Sequence, residues 1–115
     1  MLGVFLDRDS LGCDDLDFGA IDRVLPDWHY YPATAPAEVA ARIAEAEVVI
    51  SNKVVLDAAT LRKARRLELI CIAATGVNNV DLAAATEQGV TVCNCRGHVT
   101  PAVVQHVFAL LLALY

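Results

Sequence analysis

A short segment between an apolar run and a helical pattern carries the residues best suited to bind a small anion. Thr75, Gly76 and Val77 follow the apolar run 67–74. Glycine lets the backbone approach a ligand closely, and successive amides in such a turn can form an anion-binding nest. Lys53, at the end of a neighbouring predicted strand, can add a positive charge. The pattern fits two interpretations: a plain turn glycine beside a solvated lysine, which the spacing alone favours, and a carboxylate-binding loop.

Two other chemistries at the strand ends lack their required groups. A flavin or phosphate site after the first strand needs backbone donors in a glycine- or hydroxyl-rich loop, but the chain places Asp7 and Asp9 there, which would repel phosphate. A phosphoacceptor receiver domain needs an aspartate after the third strand, where the chain has Ser51, Asn52 and Lys53. The carboxylate loop and the structural turn remain the two open interpretations.

Cysteine and histidine are present, but we predict no metal site. Cys93 and Cys95 would share a face on a strand, and His98 follows, but this spacing matches no standard zinc site. We expect the two cysteines to be small packing residues. His29 is expected on a strand or at the surface, and His106 in packing or hydrogen bonding on the last helix.

The elements that position these residues alternate along the chain. Short apolar runs alternate with segments in which apolar residues recur at helical spacing. This alternation is typical of βα units. Right-handed crossovers favour a flavodoxin-like α/β fold: a doubly wound parallel five-stranded sheet with helices on both faces, which binds ligands beyond the carboxyl ends of its strands. The predicted strands are 2–6, 28–31 (an edge strand), 48–51, 67–74 and 90–93, and the predicted helices are 18–25, 34–46, 58–66, 82–88 and one from 100 onward.

Local signals predict several helix ends. Asp57 and Asp81 are expected to cap the third and fourth helices. Gly89 is expected to end the fourth helix in the left-handed conformation. Thr100 and Pro101 predict the start of the last helix, as a cap followed by proline at the first helical position.

Composition narrows the class of protein. The 115 residues, 57% hydrophobic and 20% charged, indicate one globular domain. The net charge of −5 argues against nucleic acid or an anionic membrane as a partner. The longest apolar run, 107–115, is far shorter than the roughly 20 residues that span a membrane.

The start of the chain lacks a secretory-signal pattern. We expect free thiols and a cytoplasmic location, the four cysteines being Cys13, Cys71, Cys93 and Cys95.

Longer motifs carry a resemblance to a known family. The segments 73–85 (AATGVNNVDLAAA) and 89–94 (GVTVCN) resemble the N-terminal domain of the D-isomer-specific 2-hydroxyacid dehydrogenases. The segments 51–57 (SNKVVLD), 96–101 (RGHVTP) and 104–106 (VQH) are most similar to the glycerate dehydrogenase, or hydroxypyruvate reductase, branch. The resemblance covers essentially the whole chain.

The resemblance implies a substrate and the residues that bind it. The substrate would be a small 2-keto or 2-hydroxy acid, such as hydroxypyruvate, glycerate or glyoxylate. The backbone amides around Thr75, Gly76 and Val77 would hold its carboxylate, with Asn52 and Lys53 on the cleft wall. A stand-alone module that binds a small carboxylate or a protein is the alternative.

The resemblance also implies a division between two domains. Residues 1–99 would form the flavodoxin-like substrate-binding domain and 100–115 the start of an interdomain hinge helix, with Val104 near the nicotinamide of NAD or NADP. The family's catalytic residues and glycine-rich dinucleotide loop lie in later sequence. We therefore expect no catalytic residue and no bound cofactor in this chain alone, because the NAD-binding domain is absent from it. Gln105 and His98 stand where many relatives have glutamate and tyrosine.

The end of the last predicted helix is apolar on all sides. Residues 107–114 contain no polar side chain, and such a helix is normally buried all round. In an isolated domain part of it would be exposed. We expect the chain to form at least a dimer, or to be partly disordered beyond about Leu110.

Overall fold

Within residues 1–12 and 14–115, five strands and five helices alternate along the chain. The computed structural model describes residues 1–12 and 14–115, so the expected free thiol of Cys13 lies outside the described residues. Strands β1 to β5 are Leu2–Phe5, Asp27–Tyr30, Val48–Ser51, Leu69–Ile72 and Thr91–Asn94. Helices α1 to α5 are Gly19–Asp22, Pro36–Ile43, Ala58–Lys63, Leu82–Glu87 and Thr100–Ala113, and a 3₁₀ turn at Arg8–Leu11 lies in the predicted first loop.

The strands form one parallel sheet in the order β2-β1-β3-β4-β5. Every neighbouring pair is parallel, which confirms the predicted flavodoxin-like α/β fold. β2 lies at the edge, as the aromatic run 28–31 predicted. Because the strands are parallel, all five carboxyl ends meet at one edge of the sheet, where such folds bind ligands.

The main core lies between one sheet face and helices α2, α3 and α4. Alternate strand residues point to this face, and they pack against the apolar sides of these helices in one buried cluster. Its central members include Val4, Val49 and Ile70 from the strands, Ile43 from α2 and Leu61 from α3, all fully buried.

The opposite face is covered mainly over β1 and β2. Phe5 packs edge-on against Phe18, which precedes α1, and both contact the ring of Tyr30. Over β5 this face is open, and Cys93 and Cys95 are exposed. The expectation that these two cysteines are packing residues is therefore wrong, because no described helix covers the sheet there.

Most of the predicted helix ends are confirmed. The carboxylate of Asp57 accepts the Thr60 amide at 2.8 Å, that of Asp81 accepts the Ala84 amide at 3.0 Å, and Gly89 has a φ of +72°. The predicted Thr100 cap is wrong. The helix begins at Thr100, one residue before the predicted start at Pro101. Val99 takes the cap position and forms no side-chain hydrogen bond there.

Helix α5 stands apart from the rest of the molecule. All of its residues are exposed in the described part of the chain. It is helical to Ala113, so the alternative of disorder beyond about Leu110 is not what the structure shows. Among the described residues, no helix combines the length and the apolar character needed to cross a membrane.

Candidate functional site

The carboxyl edge of the sheet holds a cavity that joins two of the predicted loops. The cavity has a volume of about 300 Å³ and is lined by Asn52 and Lys53 after β3 and by Gly76 after β4. Thr75 and Val77 flank Gly76 but do not line it. Thr75 is exposed, and Val77 packs partly buried against the core. The structure thus brings together three of the five predicted substrate-binding residues.

The loop after β4 turns its carbonyl groups toward the protein. Ala74 O accepts the Cys95 amide at 3.0 Å, and Thr75 O accepts the side-chain amide of Asn94 at 2.6 Å. Val77 O accepts the Val80 amide at 3.1 Å.

The amides of the same loop are available. The N–H groups of Thr75, Gly76 and Val77 donate to no atom of residues 1–12 or 14–115. Unpaired amides on consecutive residues of a turn are the donors that an anion-binding nest requires. The loop can therefore offer backbone hydrogen bonds to a carboxylate.

The loops after β3 and β4 are tied to each other. The side-chain amide of Asn79 donates to Val54 O at 3.0 Å, and the Leu56 amide donates to Asn79 O at 2.7 Å. Leu56 also forms a parallel bridge with Val80. These bonds fix the segment that carries Lys53 against the loop that carries Gly76.

Lys53 is the charged side chain of the cavity. It is exposed and forms no ion pair within the described residues. The remaining lining groups are neutral. A free ammonium group beside unpaired amides favours a small anion.

Asn52 lines the cavity and is also bonded to the loop after β1. Its side-chain nitrogen donates to Ser10 Oγ at 3.0 Å, and its backbone amide donates to a carboxylate oxygen of Asp7 at 2.9 Å. Both the backbone amide and the side-chain amide of Asn52 therefore donate to the loop after β1. Sequence reasoning missed Asp7 as the anchor of this loop and treated it only as a charge that repels phosphate.

A larger cavity lies on the other side of Lys53. It has a volume of about 620 Å³ and is lined by apolar and polar residues in equal number, with Asp7, Asp9 and Asp57 among the polar ones. Sequence reasoning did not predict it. Its carboxylates oppose an anionic ligand, so the smaller cavity is the better candidate for a carboxylate despite its size.

The remaining predicted residues lie away from this cavity. Val104 is 49% exposed on α5 and lines neither cavity. His29 is exposed on β2, in agreement with the prediction, and His98 Nδ1 lies 3.1 Å from Cys95 O. His106 is exposed on α5, so its predicted packing or hydrogen bonding is not found among the described contacts.

Metal binding has no support in the described residues, which contain no group of three or more His, Cys, Asp or Glu side chains placed to hold an ion.

Cys71 is half-buried on β4, and burial raises the pKa of its thiol above the ordinary value. A thiol in that environment is protonated at neutral pH and packs as a small apolar group.

Comparison with known proteins identifies the family. Residues 21–111 match the D-isomer specific 2-hydroxyacid dehydrogenase, catalytic domain. That match covers most of the chain and includes every predicted site residue. The chain belongs to the D-isomer-specific 2-hydroxyacid dehydrogenase family.

Two curated relatives are similar over much of the chain. A putative 2-hydroxyacid dehydrogenase of Haemophilus influenzae is 41% identical over 76% of this chain and 28% of its own length. A glycerate dehydrogenase of Methylorubrum extorquens is 40% identical over 96% of this chain and 34% of its own length. The chain therefore spans about a third of the length of these family members.

A solved structure shares the fold. The acyclic imino acid reductase Bsp5, solved in complex with NADPH and D-arginine, superposes with a TM-score of 0.81 at 22% identity. The match covers 98% of this chain and 36% of that protein. At this identity the likeness shows the shared flavodoxin-like arrangement of the strands and helices.

Proposed function

We propose that this chain is the substrate-binding part of an NAD(P)-dependent D-2-hydroxyacid dehydrogenase. The substrate is a small 2-keto or 2-hydroxy acid, of the hydroxypyruvate/glycerate or glyoxylate/glycolate type. The observation that carries the proposal is the set of unpaired amides at Thr75, Gly76 and Val77, next to a cavity whose charged side chain is Lys53. Family membership and the similarity to a glycerate dehydrogenase support the same substrate class.

The chemical role of these residues is orientation. The amides and Lys53 bind the carboxylate, which places the adjacent carbonyl carbon at a defined position beyond the carboxyl ends of the strands. Among the described residues that line the cavity, Lys53 is the charged group, and the proposal assigns its ammonium to the substrate carboxylate and not to proton transfer. This chain therefore supplies binding energy and geometry, and the proton donor must come from elsewhere in the enzyme.

The nicotinamide cofactor, when bound in the complete enzyme, supplies or accepts the hydride. We place the exposed apolar side chain of Val104 beside the planar nicotinamide ring. Phosphate binding calls for a glycine-rich turn at a helix N-terminus, and the chain has no G-x-G-x-x-G sequence. The proposal therefore assigns residues 1–99 to substrate binding, 100–115 to the hinge helix, and the dinucleotide to another domain.

The proposal extends to assembly and location. The uncharged, exposed surface of α5 supports a homodimer, with a second copy of this chain as the partner. Free thiols at Cys71, Cys93 and Cys95 support the reducing cytoplasm as the compartment.

The test compares two proteins in one assay. NADH oxidation with hydroxypyruvate is measured for the complete product of the native reading frame and for the 115-residue chain. We expect turnover by the complete product and none by the 115-residue chain. If neither protein turns over hydroxypyruvate or glyoxylate with NADH or NADPH, the dehydrogenase proposal is wrong. Saturable binding of a small carboxylate would then favour a stand-alone binding module.

A further inference from the structure

We propose that Asp7 is a positioning residue that sets the place of Lys53 in the substrate site. The inference rests on the proposed function, because it concerns how the same cavity is held in shape. Asp7 follows β1 and touches no part of the cavity that contains Gly76. It acts through the backbone of the loop after β3.

The carboxylate of Asp7 is buried and binds two consecutive amides. Asp7 is only 4% exposed to solvent. Oδ1 accepts the Asn52 amide at 2.9 Å, and Oδ2 accepts the Lys53 amide at 2.6 Å. Each oxygen therefore fixes one residue of the turn that enters the site.

No cation compensates this charge among residues 1–12 and 14–115, since none of the ion pairs there includes Asp7. Burying a carboxylate is costly unless hydrogen bonds replace its hydration. The main-chain amides of Asn52 and Lys53 are the charge-assisted donors that do so. A neutral side chain of the same size has no second acceptor oxygen for the two amides, so the carboxylate is explained by the geometry that it imposes.

A second set of bonds reinforces the same connection. Ser10 Oγ donates to Asp7 O at 2.6 Å and accepts the side-chain amide of Asn52 at 3.0 Å. The β1 loop thus holds the backbone and the side chain of the β3 loop at once. The β3 loop is in turn bonded to the β4 loop through Asn79 and Val54. A displacement at Asp7 is transmitted along this path to the distance between Lys53 and Gly76.

The substitution Asp7→Asn tests this role at nearly constant volume. Asparagine keeps one acceptor oxygen but places an NH₂ group against the second amide, which also donates. One of the two amides is then unpaired and the turn must move. In the complete enzyme we expect KM for hydroxypyruvate to rise about threefold, below the effect of removing Lys53 itself, because Asp7 acts only by holding Lys53 in place. We expect kcat to change less than twofold, because Asp7 does not contact the reacting atoms.

A double-mutant cycle separates positioning from general destabilisation. If Asp7 acts through Lys53, Asp7→Asn has little further effect on KM in a Lys53→Met background. Ile43→Val, which removes one buried methyl group from α2 far from the cavity, serves as a control that lowers stability and leaves KM unchanged. Ser10→Ala removes the second set of bonds, and we expect it to raise KM by a smaller factor than Asp7→Asn does.

The outcomes are distinct. An unchanged KM in Asp7→Asn, or effects of Asp7→Asn and Lys53→Met that simply multiply, would overturn the positioning role while leaving the dehydrogenase activity intact. If Asp7→Asn does not fold, the cycle of Ser10→Ala with Lys53→Met decides, and independent effects there would overturn it. Absence of turnover by the wild-type enzyme would instead contradict the proposed function itself.

Discussion

At the scale of the residue, the account depends on Lys53 as the cation of the site. Its exposed ammonium group is free of ion pairs among the described residues, so its interaction with a carboxylate is screened by solvent. We expect Lys53→Met to weaken binding of a 2-keto acid about fivefold, which corresponds to about 1 kcal/mol. The measurement is KM for hydroxypyruvate in the complete enzyme at low ionic strength.

The matched control is Lys63→Met. Lys63 is an exposed lysine in the last turn of α3 and lines neither cavity. It changes the net charge by the same amount as Lys53→Met. Equal effects of the two substitutions would mean that long-range charge alone matters, and Lys53 would lose its assigned contact.

The sequence predicted part of the residue-scale picture. Lys53 and Gly76 were predicted to meet because each follows a strand of a parallel sheet, and strand ends converge at one edge. The role of Asp7 was not predictable in the same way. It depends on the pairing of β1 with β3, which brings residues about 45 positions apart in sequence into hydrogen-bond contact.

At the scale of the element, the edge of the sheet depends on a glycine in β1. A Cβ atom at Gly3 would overlap the ring of Trp28, which lies on the neighbouring strand β2. Trp28 is also fixed by a hydrogen bond from its ring nitrogen to Ile21 O at 3.0 Å. We expect Gly3→Ala to lower the free energy of unfolding by about 1–3 kcal/mol, as overpacking does, measured by urea denaturation.

A second variant shows whether the ring is the cause. In a Trp28→Ala background the added methyl group meets no ring, so Gly3→Ala should cost far less than in the wild type. An equal cost in both backgrounds would place the origin of the glycine requirement in the backbone.

The cap of α3 gives a prediction for pH. Hydrogen bonds from the Thr60 side chain and backbone amide hold the pKa of the Asp57 carboxyl below its ordinary value of 3.8. A carboxylate with a lowered folded-state pKa stabilises the fold above the unfolded-state pKa and loses that effect as pH falls through the folded-state value. The stability advantage of the wild type over Asp57→Ala should therefore be constant from neutral pH to about pH 5 and shrink below pH 3.8.

The measurement is urea denaturation of both proteins between pH 2.5 and pH 7. Asp57→Asn, which keeps a neutral capping oxygen, should lack this step relative to Asp57→Ala. A pH-independent difference between wild type and Asp57→Ala would contradict the assignment of the cap.

Caps and strand order were predictable because they follow from local chemistry and from the handedness of crossovers. Element lengths were predicted less well. Strand β4 was predicted as 67–74 but spans Leu69–Ile72, because apolar residues that are buried or half-buried also flank the strand at both ends. Leu67 is buried without belonging to the strand. Apolar character reports burial, and it does not by itself locate the end of a strand.

At the scale of the whole molecule, α5 dominates the expected behaviour of the isolated chain. Val107, Phe108 and Leu111 are 49–60% exposed on a helix without a charged side chain. We expect the 115-residue chain to self-associate, with a sedimentation-equilibrium mass of at least twice 12.3 kDa at micromolar concentration.

Substitutions on α5 test the cause of association. Val107→Glu combined with Leu111→Glu places two charges on one side of the helix and should shift the chain toward monomer. Val24→Glu changes an exposed valine outside α5 and should leave association unchanged. A wild-type chain that is monomeric at all concentrations would show that α5 does not drive assembly.

The global arrangement was foreseen better than the surfaces. Alternating βα units and right-handed crossovers lead to the observed sheet. The exposure of Cys93 was not predictable from the sequence. Cys93 is exposed because no described helix covers the sheet over β5. The sequence does not reveal which segment, if any, covers a given sheet face.

The unpaired amides of one loop are proposed to bind the substrate carboxylate. The most direct measurement is a titration of the ¹⁵N-labelled 115-residue chain with D-glycerate, followed by amide NMR shifts, with chloride as the control anion. The account predicts saturable shifts that are largest at Thr75, Gly76 and Val77, and weaker binding in Lys53→Met. Shifts that are absent from this loop, or equal for chloride and D-glycerate, would contradict it.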